Sequence, residues 1–254
     1  MSAAETAVDE PALAVEGLYR AYGESWALRE LGFGLDRGRT LSVVGANGAG
    51  KSTLLRILAG LLRPSEGAVR VLGSSLPDET WRLRGRVGYL GHEALLYREL
   101  SAAENLRFHA RLFGLPGQGA GRIAELLAAV GLEHRADSRV GEMSAGMVQR
   151  LAICRAVLHE PELLLLDEPV AHLDPDAAAT VAPLIGAREG RTRVIVTHDL
   201  ASARAGADRV LALGRDGRLA YEGPASAFDE RAADAVFSER ARPAAAALDP
   251  EPSS

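Results

Sequence analysis

The glycine-rich stretch at residues 45–52, GANGAGKS, constrains this chain more than any other part of its sequence. It has the spacing G-x-x-x-x-G-K-[ST]. An apolar segment that predicts a strand, residues 40–44, precedes it, and a segment with helical periodicity begins at Lys51 and should end at Pro64. Glycines in such a turn let successive backbone N–H groups point into one concavity, and the following helix adds its positive dipole end. The stretch therefore predicts a phosphate-binding loop within an α/β fold.

Lys51 is the only lysine in the chain, since every other basic side chain is an arginine. A compact ammonium fits between phosphate oxygens, where the broad guanidinium fork of arginine does not. We expect Lys51 to bridge the β and γ phosphates of a nucleotide, and the hydroxyl of Ser52 to bind Mg²⁺. The whole loop is expected to contact the nucleotide: Gly45, Ala46, Asn47, Gly48, Ala49, Gly50, Lys51, Ser52 and Thr53.

Two carboxylates follow an apolar run, LLLL at residues 163–166, which predicts a buried strand. Ligands of parallel sheets bind at the carboxyl ends of the strands, so Asp167 and Glu168 should face the phosphate loop. Asp167 is expected to support Mg²⁺, and Glu168 to orient and deprotonate an attacking water. Taken alone, such a pair is equally well explained as a helix cap or a solvated turn. The phosphate loop favours the catalytic interpretation.

Two further features have both a structural and a functional interpretation. Ser144 and Gly146 precede a predicted helix at residues 147–159, where a serine is commonly an N-cap and where a phosphate is also well placed. His198 ends a predicted strand at residues 192–197, and a histidine in that position is more often structural than catalytic. The other motifs decide in favour of a role at the phosphate site.

The rest of the chain alternates between strand and helix patterns, which predicts a parallel sheet covered on both faces. Short alternating segments at residues 13–38 predict antiparallel strands before it, and residues 210–222 predict a hairpin. A helical block at about residues 91–158 interrupts the alternation and is expected to form a subdomain. Residues 1–12 are expected to be flexible, and residues 241–254, rich in proline and alanine, to be disordered.

The composition disfavours several other kinds of protein. With 29 Lys+Arg against 34 Asp+Glu the net charge is −5, and no basic run occurs, so a groove for nucleic acid is disfavoured. The uncharged stretches fall short of the roughly 18 to 20 apolar residues that a membrane helix needs. The acidic beginning of the chain does not resemble a secretion signal. The sequence predicts a cytosolic protein, in which the single cysteine, Cys154, is a core residue.

Taken in chain order, the motifs resemble the ATP-binding subunits of ABC transporters over residues 13–224. GANGAGKS resembles the Walker A loop, MSAGM the signature motif and LLLLDEP the Walker B strand. Leu173 with Asp174 resembles the D-loop, and His198 the switch histidine. The fold that the resemblance implies is an α/β P-loop NTPase domain at residues 13–240, with an antiparallel β subdomain and a helical subdomain.

The resemblance also implies how the site is completed. Tyr22 would stack on adenine. Two copies of the chain would bind two Mg·ATP head to tail, each ATP lying between Lys51 of one copy and Ser144 and Gly146 of the other. Asp174 would also contact the nucleotide. The pair would lie on the cytoplasmic face of the inner membrane as a peripheral ATPase and would move a membrane-spanning permease.

Two places depart from the family pattern. The signature motif is usually L-S-G-G-Q, and Ala145 and Met147 here replace a glycine and the glutamine, while Ser144 and Gly146 remain. His92, in VGYLGHE, stands where the family has the Q-loop glutamine. An imidazole can accept a hydrogen bond from water or approach Mg²⁺, and it adds a titration near neutral pH. The alternative is that His92 is only a loop residue.

Residues 88–114, GYLGHEALLYRELSAAENLRFHARLFG, resemble the ATP-binding subunit of the heme exporter of cytochrome c maturation. This implies that the permease is that of the heme exporter. Leu95, Leu96 and Tyr97 would then receive a helix of the permease, although core packing explains them almost as well. Three alternatives remain: an ATPase of another exporter, for a drug, a lipid or a polysaccharide; a soluble ABC-type ATPase of translation or DNA repair; and a nucleotide-binding regulator without hydrolysis.

Overall fold

A computed structural model describes residues 10–237, with the exception of residues 116 and 118. Ten strands occur in this part of the chain: β1 (Leu13–Tyr22), β2 (Ser25–Leu35), β3 (Thr40–Gly45), β4 (Glu66–Val71), β5 (Ser74–Leu76), β6 (Val87–Leu90), β7 (Leu163–Asp167), β8 (Thr192–Val196), β9 (Arg209–Leu213) and β10 (Leu219–Pro224). Its α-helices are α1 (Lys51–Leu58), α2 (Ala102–Leu112), α3 (Gly119–Ala129), α4 (Ala145–Val157), α5 (Pro175–Ile185), α6 (Leu200–Ala205) and α7 (Glu230–Phe237).

The strands form two sheets with different pairing. One sheet has four antiparallel strands in the order β2-β1-β4-β5. The other has six strands in the order β10-β9-β3-β8-β7-β6, and its pairs are parallel except for β9 with β10. The predictions of antiparallel strands at residues 13–38, of a parallel α/β sheet and of a hairpin near residues 210–222 are therefore confirmed.

The apolar run of β7 is buried on both faces of the larger sheet. Leu163 and Leu165 pack into a core with α1 and the antiparallel sheet, whereas Leu164 and Leu166 pack into a second core with α2 to α5. Successive side chains of a strand point to opposite faces, so this run joins both cores. Asp167, the next residue, is thereby fixed at the carboxyl edge of the sheet.

The helical block consists of α2, α3 and α4, which enclose the second core. Helix α2 begins with a capping box: Glu104 N–H donates to the Ser101 hydroxyl at 3.2 Å, and Ser101 N–H donates to the Glu104 carboxylate at 2.8 Å. The spacing of these two residues predicts this arrangement. The fully buried Asn105 accepts a hydrogen bond from Tyr97 N–H at 2.8 Å, which ties the preceding loop to the helix.

Two predicted helix boundaries differ from the structure. Helix α1 ends at Leu58 and not at Pro64, because Gly60 adopts the left-handed conformation, φ 71°, which terminates a helix. Helix α4 begins at Ala145 and not at residue 147, because the side chain of Ser144 already caps the first turn. The short elements β5, α6 and α7 were not predicted.

The ends of the chain fall largely outside the described residues. These ends include the predicted disordered tail, residues 241–254, and residues 1–9 of the segment expected to be flexible. Within that segment Ala12 is fully buried, and its carbonyl accepts a hydrogen bond from Leu72 N–H at 2.8 Å. Ala12 is therefore anchored to the sheet, because the chain enters β1 directly after it.

Candidate functional site

The phosphate loop lies between β3 and α1, where the sequence predicts it. Strand β3 ends at Gly45 and helix α1 begins at Lys51, with Gly50 before it in the left-handed conformation at φ 94°. A Cβ atom at Gly50 would collide with the carbonyl oxygen of Ala27. Both the backbone angle and the lack of space therefore require glycine at this position.

Lys51 is held firmly inside the loop. Its Nζ donates to the carbonyl oxygen of Gly45 at 2.8 Å and to that of Ala46 at 2.9 Å, and the residue is 7% exposed. Burial lowers the pKa of Lys51, while the charges of Glu168 and Asp167 oppose this shift by favouring the ammonium form. The chain thus places one cation on the inner side of the loop, within the field of two carboxylates.

The acidic pair lies at the end of β7. Asp167 is the last residue of the strand and is buried. Glu168 adopts φ 47°, a left-handed conformation that is uncommon for a residue other than glycine, and its N–H donates to the carbonyl of Val196 at 3.0 Å. A neighbouring strand therefore holds Glu168 in an unusual backbone conformation, which is typical of functional positions.

His198 lies beside Glu168. Its Nδ1 is 3.3 Å from Oε2 of Glu168. The two residues follow β8 and β7, which are neighbours in the sheet, so the ends of adjacent strands bring them together. The Glu168 side chain is 34% exposed and that of His198 is 68% exposed. The carboxylate is the more enclosed partner of the pair.

A cavity of about 230 Å³ lies in front of the acidic pair. Ser52 and His92 line it together with Asp167 and Glu168. Mg²⁺ in nucleotide sites is usually bound through one or two side chains, phosphate oxygens and water. The Ser52 hydroxyl and the Asp167 carboxylate fit that role. His92 is exposed at the same cavity, so the structure brings all three predicted magnesium residues to one place.

Ser144 and Asp174 serve as helix caps within the chain. The Ser144 hydroxyl accepts a hydrogen bond from Met147 N–H at 3.3 Å, and Oδ1 of Asp174 accepts one from Ala177 N–H at 2.8 Å. Both caps are exposed, and among the described residues neither they nor Gly146 belong to the lining of the cavity beside Glu168. Their contact with a nucleotide stays a prediction.

Tyr22 ends β1 at the edge of the antiparallel sheet. Its ring is 47% exposed, and the guanidinium of Arg20 lies 4.8 Å from the ring centroid. The ring is thus accessible, and one cation already stacks on it. Its predicted stacking on adenine is not tested by these contacts.

Two residues of the cavity escaped the sequence analysis, Gln149 and His172. Gln149 lies on α4, and its Nε2 donates to the carbonyl of Pro169 at 3.0 Å. His172 lies between the Walker B strand and Asp174. The only sequence signal for Gln149 was its position three residues after Gly146, which places both on one face of the helix.

Comparison with known proteins agrees with this arrangement. The sequence model of the ABC transporter family matches residues 28–171, more than half of the chain. The Phosphonates import ATP-binding protein PhnC of Anaeromyxobacter dehalogenans is 40% identical over 237 residues, which cover 87% of this chain and 47% of that protein. Nod factor export ATP-binding protein I of Ralstonia nicotianae is 34% identical over 217 residues, which cover 84% of this chain and 68% of that protein. The chain thus spans about half to two thirds of the length of these relatives.

Solved structures of ATP-binding subunits also superpose on this chain. A structure described as the ATP binding subunit of an ABC transporter superposes with a TM-score of 0.78 at 32% identity, covering 89% of this chain and 95% of the other. The dimeric, post-hydrolysis state of the ATP-binding cassette MJ0796, bound to ADP and Pi, has a TM-score of 0.74 at 28% identity, covering 84% of this chain and 98% of that one.

The chain belongs to the ABC transporter family. It has the fold of the ATP-hydrolysing cassette of that family, which binds ATP with Mg²⁺. Within residues 10–237, apart from the two that are not described, no helix combines the length and the apolar character that crossing a bilayer requires.

Proposed function

We propose that this chain is the ATP-hydrolysing subunit of a membrane transporter. The observation that carries the proposal is that Glu168, which lines a cavity together with Ser52 and Asp167, is paired with His198. These groups supply a base, a residue that orients it and two oxygen ligands for Mg²⁺, next to the loop that holds Lys51.

Each residue has a defined task in this reaction. Lys51 and the backbone of the loop bind the β and γ phosphates and balance their charge, which supplies most of the catalysis in phosphoryl transfer. Ser52 and Asp167 would hold Mg²⁺, which adds positive charge at the same phosphates. Glu168 accepts a proton from the attacking water, and His198 keeps the Glu168 carboxylate in place through its Nδ1. His92 approaches the magnesium side of the cavity in place of a glutamine.

The site is completed by a second copy of the chain. Ser144 and Gly146 lie at the N-terminus of α4, and Ser144 is exposed there. A helix N-terminus binds anions through its free N–H groups and its dipole. In a head-to-tail dimer these groups face the γ phosphate held by Lys51 of the other copy, and Asp174 lies at the same interface. MJ0796, similar in fold, is described as dimeric.

The pair of ATPase subunits works on membrane-spanning permease subunits at the cytoplasmic face of the inner membrane. The loop before α2 supports this proposal, because Leu95 and Tyr97 are large apolar side chains that are 44% and 51% exposed. Contiguous exposed apolar patches mark surfaces for partners, and these two side chains belong to one loop. The interpretation of these two side chains as ordinary core residues is therefore disfavoured.

We infer further that the permease is that of the heme exporter of cytochrome c maturation. The support is the sequence of residues 88–114, with its Gly91-His92 pair and its capped helix beginning after Ser101. The names of the relatives support other cargoes, since they describe phosphonates import, Nod factor export and methionine import. The alternative is an ATPase of another exporter, which the names of the Nod factor export relatives support, while the phosphonate and methionine relatives are named for import.

ATP turnover with a catalytic control tests the first part of the proposal. Glu168→Gln should keep ATP binding but lower the hydrolysis rate by about 10²- to 10⁴-fold, the usual contribution of a positioned base. It should also accumulate as an ATP-bound dimer in size-exclusion chromatography. A Glu168→Gln protein that hydrolyses ATP normally as a monomer would contradict the assignment.

Isolation from native membranes tests the second part. The tagged chain is purified in mild detergent, its companions are identified by mass spectrometry, and the absorbance of the complex is recorded in the heme region. Heme-handling membrane subunits would support the heme exporter. An unrelated permease would contradict the heme exporter assignment and leave the ATPase proposal intact. Recovery from the soluble fraction alone would contradict a role in transport.

A further inference from the structure

The side chain of Gln149 joins α4 to the turn that holds Glu168. Gln149 is half-buried, and its Nε2 donates to the carbonyl oxygen of Pro169 at 3.0 Å. Pro169 is buried and directly follows Glu168. The amide of Gln149 therefore holds the Pro169–Val170 peptide, one residue beyond Glu168, and the same side chain lines the cavity in front of that carboxylate.

The turn needs such support because of its backbone conformation. Glu168 is held at φ 47°, which persists in proteins only where surrounding contacts enforce it. On one side its N–H is fixed to Val196 of β8 at 3.0 Å. On the other side Pro169 has no N–H to donate, so Gln149 supplies a contact through the carbonyl. Without that contact the Pro169–Val170 peptide is freer to rotate, and the turn that contains Glu168 is held from one side only.

Helix α4 also lies close to the same segment one turn nearer to its N-terminus. A Cβ atom at Gly146 would lie 3.8 Å from the carbonyl oxygen of His172 and 3.9 Å from the Leu173 side chain. Residues three apart lie on the same face of a helix, so Gly146 and Gln149 face this segment together. A displacement of the first turns of α4 is therefore passed directly to the residues that follow Glu168.

We propose that Gln149 is a positioning residue that makes the placement of Glu168 depend on the position of α4. The inference rests on the proposed function, in which Ser144, the cap of α4, faces the nucleotide held by a second copy. Nucleotide bound there fixes α4, and Gln149 transmits this to Glu168 of its own chain. The two ATP sites are thereby coupled, and each hydrolyses faster when the other is occupied.

Replacing the amide tests the coupling. Gln149→Leu has a similar size but no donor, so it should lower kcat on the order of 10- to 100-fold, the effect of a small displacement of a catalytic group. The KM for ATP should change little, since Lys51 and the phosphate loop are untouched. The Hill coefficient for ATP should fall towards one. Gln149→His, assayed at pH 8 where a free imidazole is neutral, keeps an uncharged N–H donor at a similar reach and should recover part of kcat and of the cooperativity.

Arg150→Leu is the matched control on the same helix. Arg150 Nη1 donates to the carbonyl of Val130 in the helical block, so this change also removes a bond from α4 to a backbone oxygen. We expect it to lower the melting temperature and to leave kcat and the Hill coefficient close to those of the unmodified protein. The control therefore distinguishes a loss of activity caused by destabilising α4 from a loss caused by displacing the Glu168 carboxylate.

Three results would overturn the inference. In the first, Gln149→Leu keeps its kcat and Hill coefficient. In the second, Gln149→Leu and Arg150→Leu both lose activity in proportion to their fall in melting temperature, and Gln149→His gives no recovery. In the third, the unmodified chain shows no ATP hydrolysis under any condition, which removes the proposed function as well. The first two outcomes leave the proposed function standing.

Discussion

The two halves of the proposed nucleotide site are built in opposite ways within one chain. The half at the sheet edge is enclosed: Lys51 is 7% exposed, and its ammonium is bonded to two loop carbonyls. The half at the N-terminus of α4 is exposed, and the Ser144 hydroxyl accepts a hydrogen bond from the first turn of its own helix. The difference indicates that the first half is formed in advance, whereas the second is available to a ligand that comes from outside the chain.

The two halves should contribute differently to ATP binding and to ATP hydrolysis. The phosphate loop has its fixed geometry from Gly50 and from the burial of Lys51, so a single chain should bind ATP. Hydrolysis requires charge balance on the other side of the phosphates as well, since transition-state stabilisation depends on donors placed all around the reacting group. Changes in the two halves should therefore have different effects on affinity and on rate.

The largest effect should come from the enclosed half. Lys51→Arg keeps the positive charge, but the wider guanidinium cannot occupy the place between the loop carbonyls and the phosphates. We expect ATP hydrolysis to fall on the order of 10²- to 10³-fold, with weaker ATP binding measured by fluorescent-nucleotide titration. If this variant turned over ATP normally, the enclosed half would not be the centre of the reaction.

A smaller effect is expected in the exposed half. Ser144→Asp keeps an efficient helix cap but adds a negative charge opposite the triphosphate, whereas Ser144→Asn keeps the cap without the charge. Ser144→Asp should lower hydrolysis by about tenfold or more through charge repulsion at close range, with unchanged ATP affinity of the monomer. Ser144→Asn should hydrolyse ATP at close to the normal rate. Equal loss in both variants would point to a different role for Ser144.

The smallest predicted effect is on the pH dependence of stability, and it arises from two histidines of the helical block. His159 stacks on Phe113, with ring centroids 3.8 Å apart, and burial lowers the pKa of both His159 and His109 to about 4. The unfolded chain binds these two protons near pH 6.5 and the folded chain only near pH 4, so acid favours unfolding between these values. The free energy of unfolding should fall by about 1 kcal/mol or more per histidine over this range.

Chemical denaturation at a series of pH values measures this slope. His159→Phe removes one of the two titrating groups and should flatten the slope between pH 6.5 and pH 4. The exposed His134, whose side chain is 94% exposed, offers a control, since His134→Gln should leave the slope unchanged. A slope that does not depend on His159 would show that other groups govern the acid sensitivity.

The placement of the residues at the sheet edge could be predicted from the sequence because local rules determine it. Glycine spacing fixes the loop, and a run of four leucines fixes the strand that ends at Asp167. The pairing of His198 with Glu168 needed one additional fact, that their strands are neighbours. The family resemblance implied a role for each residue but not this contact.

Contacts that depend on packing between distant segments could not be predicted in this way. The bond from Gln149 to Pro169 joins α4 to a turn twenty residues further along the chain. No periodicity encodes it, because it follows from how α4 lies on the second core. The end of α1 at Gly60 was missed for a different reason: a left-handed glycine ended the helix before proline did. Strand β5, with three residues, is too short to give a pattern.

Mixing two inactive variants tests the central claim, that each ATP site is shared between two copies. Lys51→Ala lacks the enclosed half and Ser144→Asp has a disabled exposed half, so neither alone should hydrolyse ATP efficiently. A mixed head-to-tail dimer contains one site with an intact Lys51 and an intact Ser144. The mixture should recover up to about a quarter of the normal rate, because half of randomly formed dimers are mixed and each has one complete site of two. The inferred coupling lowers the rate below this limit, since the other site of each mixed dimer is disabled. A mixture no more active than its components would contradict a shared site.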